Sequence, residues 1–129
     1  MSRSSGIDPY QPASISTALN VRFRRHDMAK LVALYKTPAD RNAFDAHYFD
    51  KHVPLAKTIP GLSRYEVSVG PVASAKGESP YALAAILSFD SFESLQQAMG
   101  TPEAAATTAD LQNFAQAGVD LLVFDAKDV

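Results

Sequence analysis

The segment from Phe44 to Leu62 holds the side chains best suited to chemistry. It contains His47 and His52, two of the three histidines in the chain. At about 100° per residue, a helix places Asp45, Tyr48 and His52 on one face. Histidine titrates near neutral pH, so this face predicts acid–base chemistry in which His52 is the acid or base. We expect Tyr48 to hydrogen-bond His52 and, with Tyr35 from the first strand, to orient a substrate oxygen.

His52 also has a structural interpretation. Pro54 cannot donate a backbone hydrogen bond to the Asp50 carbonyl, so His52 would lie at a helix end, where free carbonyls favour an imidazolium. The sequence leaves both interpretations open. His47 lies on another helix face beside Lys51, so we expect the two histidines not to converge.

The same spacing argues against a metal or a cofactor. Two histidines five residues apart on one helix do not aim at one point, and the chain has no cysteine. Glycine-rich phosphate-binding motifs are absent, because Gly61, Gly70 and Gly77 are isolated turn residues. We therefore expect no metal site and no cofactor site.

The elements that position these side chains follow the order β-α-β-β-α-β. Apolar alternation predicts four strands: Lys30 to Lys36, Leu62 to Gly70, Tyr81 to Phe89 and Val119 to Asp125. Cap signals predict helices that begin at three points: at Asp40, running to about His52 with a kink and a short second helix at Pro54; at Ser91, running to about Met99; and after Gly100, running to about Ala117. A loop is expected from Pro71 to Pro80. This order predicts an α+β, ferredoxin-like fold with a four-stranded antiparallel sheet and helices on one face.

The sheet predicts a partner. Leu83 and Leu87 alternate with Ala84 and Ile86, so both faces of this strand are apolar, and a monomer would expose one of them. We expect a homodimer that packs through the sheet face. Arg64 and Glu66 share one strand face. Their charged groups must either form ion pairs or lie at an edge of the sheet that stays in contact with solvent.

Aromatic side chains predict the core and the pocket. The expected core members are Phe89, Phe92, Phe114 and Phe124, with Tyr65 and Leu95. Since small-molecule pockets are mostly apolar with few polar groups, some of these rings would also contact substrate. The substrate-binding candidates are Tyr35, Phe44, Tyr65, Phe92 and Phe114.

Composition sets the remaining limits. The chain has 129 residues, 47% of them hydrophobic, and a formal charge of -2, which fits one globular domain and disfavours nucleic acid as a partner. No apolar run reaches the ~18 residues of a membrane span, so a soluble, cytoplasmic protein is expected. Residues 1–27 are rich in Ser, Pro and Arg and predict a flexible arm, either an extension ahead of Met28 or a transit-type segment. The domain is expected over residues 28–129.

Several motifs together resemble the EthD family, named for a protein associated with ethyl tert-butyl ether degradation. They are the His47-Tyr48 pair, His52 before Val-Pro-Leu, and Pro60-Gly61-Leu62, preceded by the strand from Ala29 to Tyr35 and followed by the segment from Ser88 to Leu95. The resemblance covers residues 28–129. It implies a dimeric α+β barrel and supports a site role for His47.

The resemblance also frames the function. It implies a small dimeric protein that binds an apolar, oxygen-containing molecule in catabolic or secondary metabolism, with His/Tyr acid–base chemistry of isomerase, reductase or cofactor-free oxygenase type. A noncatalytic binding module that serves a partner oxygenase is an alternative. A second alternative is a haem-binding barrel protein, in which His47 or His52 would be the iron ligand.

Overall fold

A computed structural model describes residues 28–129. The expected arm over residues 1–27 lies outside this range. The elements in chain order are β1 Ala29–Lys36, α1 Arg41–His47, a π-helical turn Tyr48–His52, α2 Val53–Ala56, β2 Leu62–Val67, β3 Ala73–Ser74, β4 Gly77–Glu78, β5 Tyr81–Phe89, α3 Phe92–Met99, α4 Pro102–Phe114 and β6 Val119–Asp125. The predicted α+β fold with a four-stranded antiparallel sheet is confirmed.

The main sheet has the strand order β2-β5-β1-β6, and every neighbouring pair is antiparallel. Opposite residues in such a sheet point to the same face. One face carries Ala33 and Leu87 and packs against α3, α4 and the turn region to form the core. On the other face, which we call the outer face, Ile86 lies opposite Val32, and Val32 lies opposite Leu122. Strand β6 forms one edge of the sheet.

The three predicted helix starts are confirmed by their caps. The side chains of Asp40, Ser91 and Thr101 each accept a hydrogen bond from a backbone N–H three residues later. Each cap contributes about 1 kcal/mol. Helix α4 ends at Phe114 rather than near Ala117, because Ala115 already leaves the helical conformation at φ -102° and ψ 42°. The chain then turns toward the sheet through Gly118 at a φ of 117°.

The break at Pro54 differs in form from the expected kink. The N–H of Val53 donates to the Tyr48 carbonyl, five residues back, and Val53 keeps helical angles of φ -58° and ψ -47°. A π-helical turn therefore connects α1 to α2, where Pro54 lies in the first turn. Pro54 has no N–H to donate, and the first turn of a helix tolerates this.

Three further expectations were wrong in detail. Strand β2 ends at Val67 instead of Gly70, and the expected loop from Pro71 to Pro80 contains the small β3–β4 hairpin. Phe92 and Phe124 are 37% and 46% exposed, so they do not belong to the core. Within the described range, no helix is long and apolar enough to cross a membrane.

Candidate functional site

The buried carboxylate of Asp110 is the centre of the site. His47 Nε2 lies 2.9 Å from Asp110 Oδ1 and 3.1 Å from Oδ2, and His52 Nδ1 lies 2.9 Å from Oδ2. The amide of Asn113 donates to Oδ1 at 2.9 Å. Three side chains therefore hold one carboxylate from both sides.

The expectation that the two histidines do not converge was wrong. In a regular α-helix, residues five apart differ by roughly 140° in direction. The turn from Tyr48 to His52 has π-helical bonds from residue i to i+5, which bring residues five apart onto nearly the same face. His47 and His52 therefore point toward the same part of α4.

Sequence reasoning missed Asp110 and Asn113. The buried positions of α4 are Ala104, Thr107, Asp110 and Phe114, the three- and four-residue spacing of an inward face. A carboxylate on such a face needs a partner, because an unpaired buried charge is costly. That pattern was the available signal.

Asp110 is an anion at neutral pH. Burial by itself would raise the pKa of its carboxyl, but hydrogen bonds from Asn113, His47 and His52 outweigh burial, and the pKa is lowered. A carboxylate only accepts hydrogen bonds. His52 therefore donates from Nδ1, and its Nε2 is left as the basic nitrogen.

His52 is 4% exposed, and burial lowers its pKa below the ordinary value. Its hydrogen bond with Asp110 and the charge of Asp110 oppose that shift, and the charge of His47 adds to it. His52 is thus neutral at neutral pH. The hydroxyl of Tyr35 lies 3.5 Å from Nε2, longer than a normal hydrogen bond. These two buried polar atoms therefore face each other at slightly more than hydrogen-bond distance.

Tyr48 does not hydrogen-bond His52, contrary to the expectation. Its hydroxyl lies 2.6 Å from the Tyr65 hydroxyl, and its ring stacks on His52 at a centroid distance of 5.5 Å. Burial is the main cause that raises the pKa of Tyr35, Tyr48 and Tyr65. All three are therefore neutral phenols that can donate hydrogen bonds.

Most of the predicted site residues come together. The centroid of the Phe114 ring lies 4.8 Å from the ring centroid of His52, 5.1 Å from that of His47 and 5.3 Å from that of Phe44. Phe92 is separate, on the exposed surface of α3. The residues that do meet are Tyr35, Phe44, His47, Tyr48, His52, Tyr65 and Phe114.

Two cavities flank this cluster. The first, which we call the inner cavity, has a volume of about 60 Å³ between sheet and helices and is lined by Leu31, Ala33, Tyr35, Ile59, Leu87, Met99, Ala104, Thr107, Thr108, Leu111 and Leu121. The second, the outer groove, has a volume of about 530 Å³ and includes Phe44, His47, Asn113 and Phe114 in its walls.

Other charged candidates lie outside the cluster. Asp45 pairs with Arg41 at 2.9 Å on the surface. Arg64 and Glu66 are exposed on β2. In the part of the chain that the structure describes, no group of three or more His, Cys, Asp or Glu side chains could hold a metal ion.

The lowered pKa of His52 predicts a loss of stability in mild acid. Below the ordinary histidine pKa of about 6.5, His52 binds a proton in the unfolded chain but stays neutral in the folded protein. The contribution of His52 to the free energy of unfolding is therefore complete above about pH 6.5. It is lost as the pH falls toward the pKa of His52 in the folded protein. The change in protonation of His52 increases the pH dependence of the unfolding free energy by at most about 1.4 kcal/mol per pH unit.

Urea unfolding between pH 7.5 and pH 5 measures that slope. In His52→Asn, the amide takes the place of Nδ1 and keeps the donor to Asp110, but it cannot titrate. We expect a flatter profile for the variant. Equal slopes in the two proteins would contradict the assignment of the acid sensitivity to His52.

The fold is similar to that of several solved structures. A dimeric ferredoxin-like protein of unknown function from Thermobifida fusca is 16% identical, with a TM-score of 0.57 over 78% of this chain and 92% of that one. A hydroxynitrile lyase from Passiflora edulis is 9% identical, with a TM-score of 0.62 over 81% and 97%. At these identities the likeness shows the fold alone.

Closer relatives establish the family. The EthD domain matches residues 36–118. An uncharacterised 11.0 kDa protein from the thcB-thcC intergenic region of Rhodococcus erythropolis is 41% identical over 103 residues, 79% of this chain and 98% of that protein. A crystal structure of an EthD family protein from Bacillus halodurans is 44% identical, with a TM-score of 0.69 over 75% and 96%. This chain therefore belongs to the EthD family.

Proposed function

We propose that the chain binds a small oxygen-containing molecule in the inner cavity and catalyses proton transfer with His52. The main support is the pair of buried polar atoms, His52 Nε2 and Tyr35 Oη, which lie 3.5 Å apart. Within the described residues, neither atom has a nearer hydrogen-bond partner. A substrate oxygen or an acidic C–H that binds beside both atoms could replace this long contact, since catalytic contacts often shorten only when substrate binds.

The proposed step uses three side chains. His52 Nε2 takes a proton from the substrate, and the Tyr35 hydroxyl donates a hydrogen bond to the oxygen on which negative charge develops. Asp110 holds Nδ1–H, which keeps Nε2 free and stabilises the imidazolium that forms. Return of the same proton to another substrate atom completes an isomerisation, and its return after bond cleavage completes a lyase reaction.

Tyr48 and His47 have supporting roles in this proposal. The Tyr48 ring stacks on His52, and its hydroxyl is bonded to Tyr65. His47 contacts both oxygens of Asp110. These residues hold the proton-transfer groups in position, so they are positioning residues, whereas His52 is the catalytic one.

Deuterium exchange tests the proposal without knowledge of the natural substrate. Acetoin has a C–H next to its carbonyl, so a general base that reaches a ligand bound beside Tyr35 exchanges that hydrogen in D₂O. We expect exchange by the native protein and a loss of about 10²- to 10⁴-fold in His52→Gln and Tyr35→Phe. Tyr81→Phe, which removes a hydroxyl bonded to Asp120, is the control. Equal exchange in all four proteins would refute the role of His52.

The noncatalytic alternative predicts saturable binding with no exchange. The haem alternative does not fit the inner cavity, because its volume of about 60 Å³ is far less than a porphyrin needs and Nδ1 of His52 is held by Asp110. It would have to use the outer groove, where His47 lies with its Nε2 held by Asp110. Within this proposal the protein works in the cytoplasm, in catabolic or secondary metabolism.

A second copy of the chain is proposed to cover the outer face. The central side chains of that face are Val32, Ile86 and Leu122, and Leu122 is 51% exposed. Charged groups, including Lys30, Glu66 and Asp120, surround them. An apolar centre with a polar rim is typical of a protein interface.

A further inference from the structure

We infer that the ligand of the inner cavity is a neutral, short aliphatic alcohol or carbonyl compound of about four to six heavy atoms, and that it enters beside Leu121. This inference rests on the proposed function, because it names the substrate class of the same site. Three observations carry it: the size and lining of the cavity, its polar groups, and the position of its opening.

The cavity is small and its walls are aliphatic. Its volume of about 60 Å³ holds about four to six water-sized atoms. Tyr35 contributes the one aromatic ring in the lining, while Phe44 and Phe114 line the outer groove instead. An aromatic ligand binds best against other rings. The division of side chains between the two cavities therefore favours an aliphatic ligand on the inner side.

The polar groups place the ligand oxygen at one end. Thr107 Oγ1 already donates to the Glu103 carbonyl at 2.8 Å. Thr108, the other threonine of the lining, is exposed. That leaves the Tyr35 hydroxyl, with His52 Nε2 3.5 Å behind it, as the polar end of the buried part of the cavity. No Lys or Arg lines the cavity, so a carboxylate would be buried near Asp110 without a cation, at high cost. A hydroxyl or carbonyl oxygen has no such cost.

The opening lies at the edge of the sheet. Leu121 is 49% exposed and lines the cavity from strand β6, which pairs with β1 alone. Val123 is on the same strand and the same face and is 46% exposed, but it does not line the cavity. The two residues form a matched pair, in which a large side chain at Leu121 narrows the entrance and the same side chain at Val123 does not.

An NMR titration of the full chain tests the inference with 2-pentanone and acetophenone as probes. We expect saturable shifts of the methyl groups of Leu31, Leu87 and Leu111 with 2-pentanone and weaker effects with acetophenone. Leu121→Trp should weaken the binding of 2-pentanone by about tenfold or more, which corresponds to about 1.4 kcal/mol. Val123→Trp should change it less than about twofold.

Other outcomes overturn the inference. These are tighter binding of acetophenone, shifts confined to the outer groove, or equal binding by the two tryptophan variants. Failure of the proposed function looks different, because 2-pentanone then binds in the cavity while acetoin exchanges no deuterium. Conversely, exchange that needs His52 but continues in Leu121→Trp would uphold the proton transfer and refute the entrance beside Leu121.

Discussion

Replacement of Asp110 by asparagine is expected to lower the free energy of unfolding by about 2–3 kcal/mol and to abolish most of the proton transfer. The carboxylate accepts hydrogen bonds from His47, His52 and Asn113. The asparagine amide has one acceptor oxygen, and its NH₂ group would face an N–H donor of one imidazole. A buried N–H donor then loses its partner unless that imidazole changes its tautomer.

The effect on chemistry follows from the tautomer of His52. Without a carboxylate at Nδ1, the proton no longer has to reside on that nitrogen, and the imidazolium loses its counter-charge. We expect the deuterium exchange of acetoin to fall by about 10²- to 10⁴-fold. Imidazole ¹⁵N NMR adds a readout that a merely structural role would leave unchanged: Nδ1–H in the native protein, and a mixture of tautomers in Asp110→Asn.

Asp45→Asn is the matched control. Asp45 is also a helical aspartate with a charged partner, but its pair with Arg41 is exposed, and exposed pairs contribute about 0–1 kcal/mol. We expect nearly native stability and native exchange for this variant. If Asp110→Asn behaved like Asp45→Asn in urea unfolding and in exchange, the role assigned to Asp110, to hold the two histidines in position, would be refuted.

A charge on the outer face is expected to separate the proposed dimer. In a twofold-symmetric interface each substitution occurs twice, so Leu122→Asp buries two carboxylates among Val32, Ile86 and their copies. An unpaired buried charge costs several kcal/mol. We expect the dimer dissociation constant to rise by at least about 100-fold, which sedimentation velocity or light scattering at micromolar concentration would show as a monomer.

Val123→Asp is the control for this experiment. Val123 lies next to Leu122 on the same strand with similar exposure, 46% against 51%, but it points to the opposite face. The control should remain dimeric. Dissociation of both variants would indicate that edge strand β6 itself forms the interface, and a monomeric native protein would refute the dimer.

The sequence by itself determined the features that depend on neighbouring residues. Asp40, Ser91 and Thr101 cap their helices through backbone groups three residues away. The alternation from Tyr81 to Phe89 reports directly which face each side chain takes. The Pro60-Gly61 turn leads into β2, which begins at Leu62, and Gly61 takes a φ of 81° there. These local rules were enough for the βαββαβ order and for the family motifs.

Only the tertiary structure decided how the site is assembled. Asp110 lies 63 residues from His47 and 58 from His52 along the chain, and no local rule connects them. The π-helical turn from Tyr48 to His52 makes the histidines converge, where an α-helical projection predicts divergence. Tyr48 bonds Tyr65 rather than His52, because the Tyr65 hydroxyl on β2 lies within 2.6 Å. The arrangement of the site therefore depends on side-chain direction and long-range packing, which residue spacing does not encode.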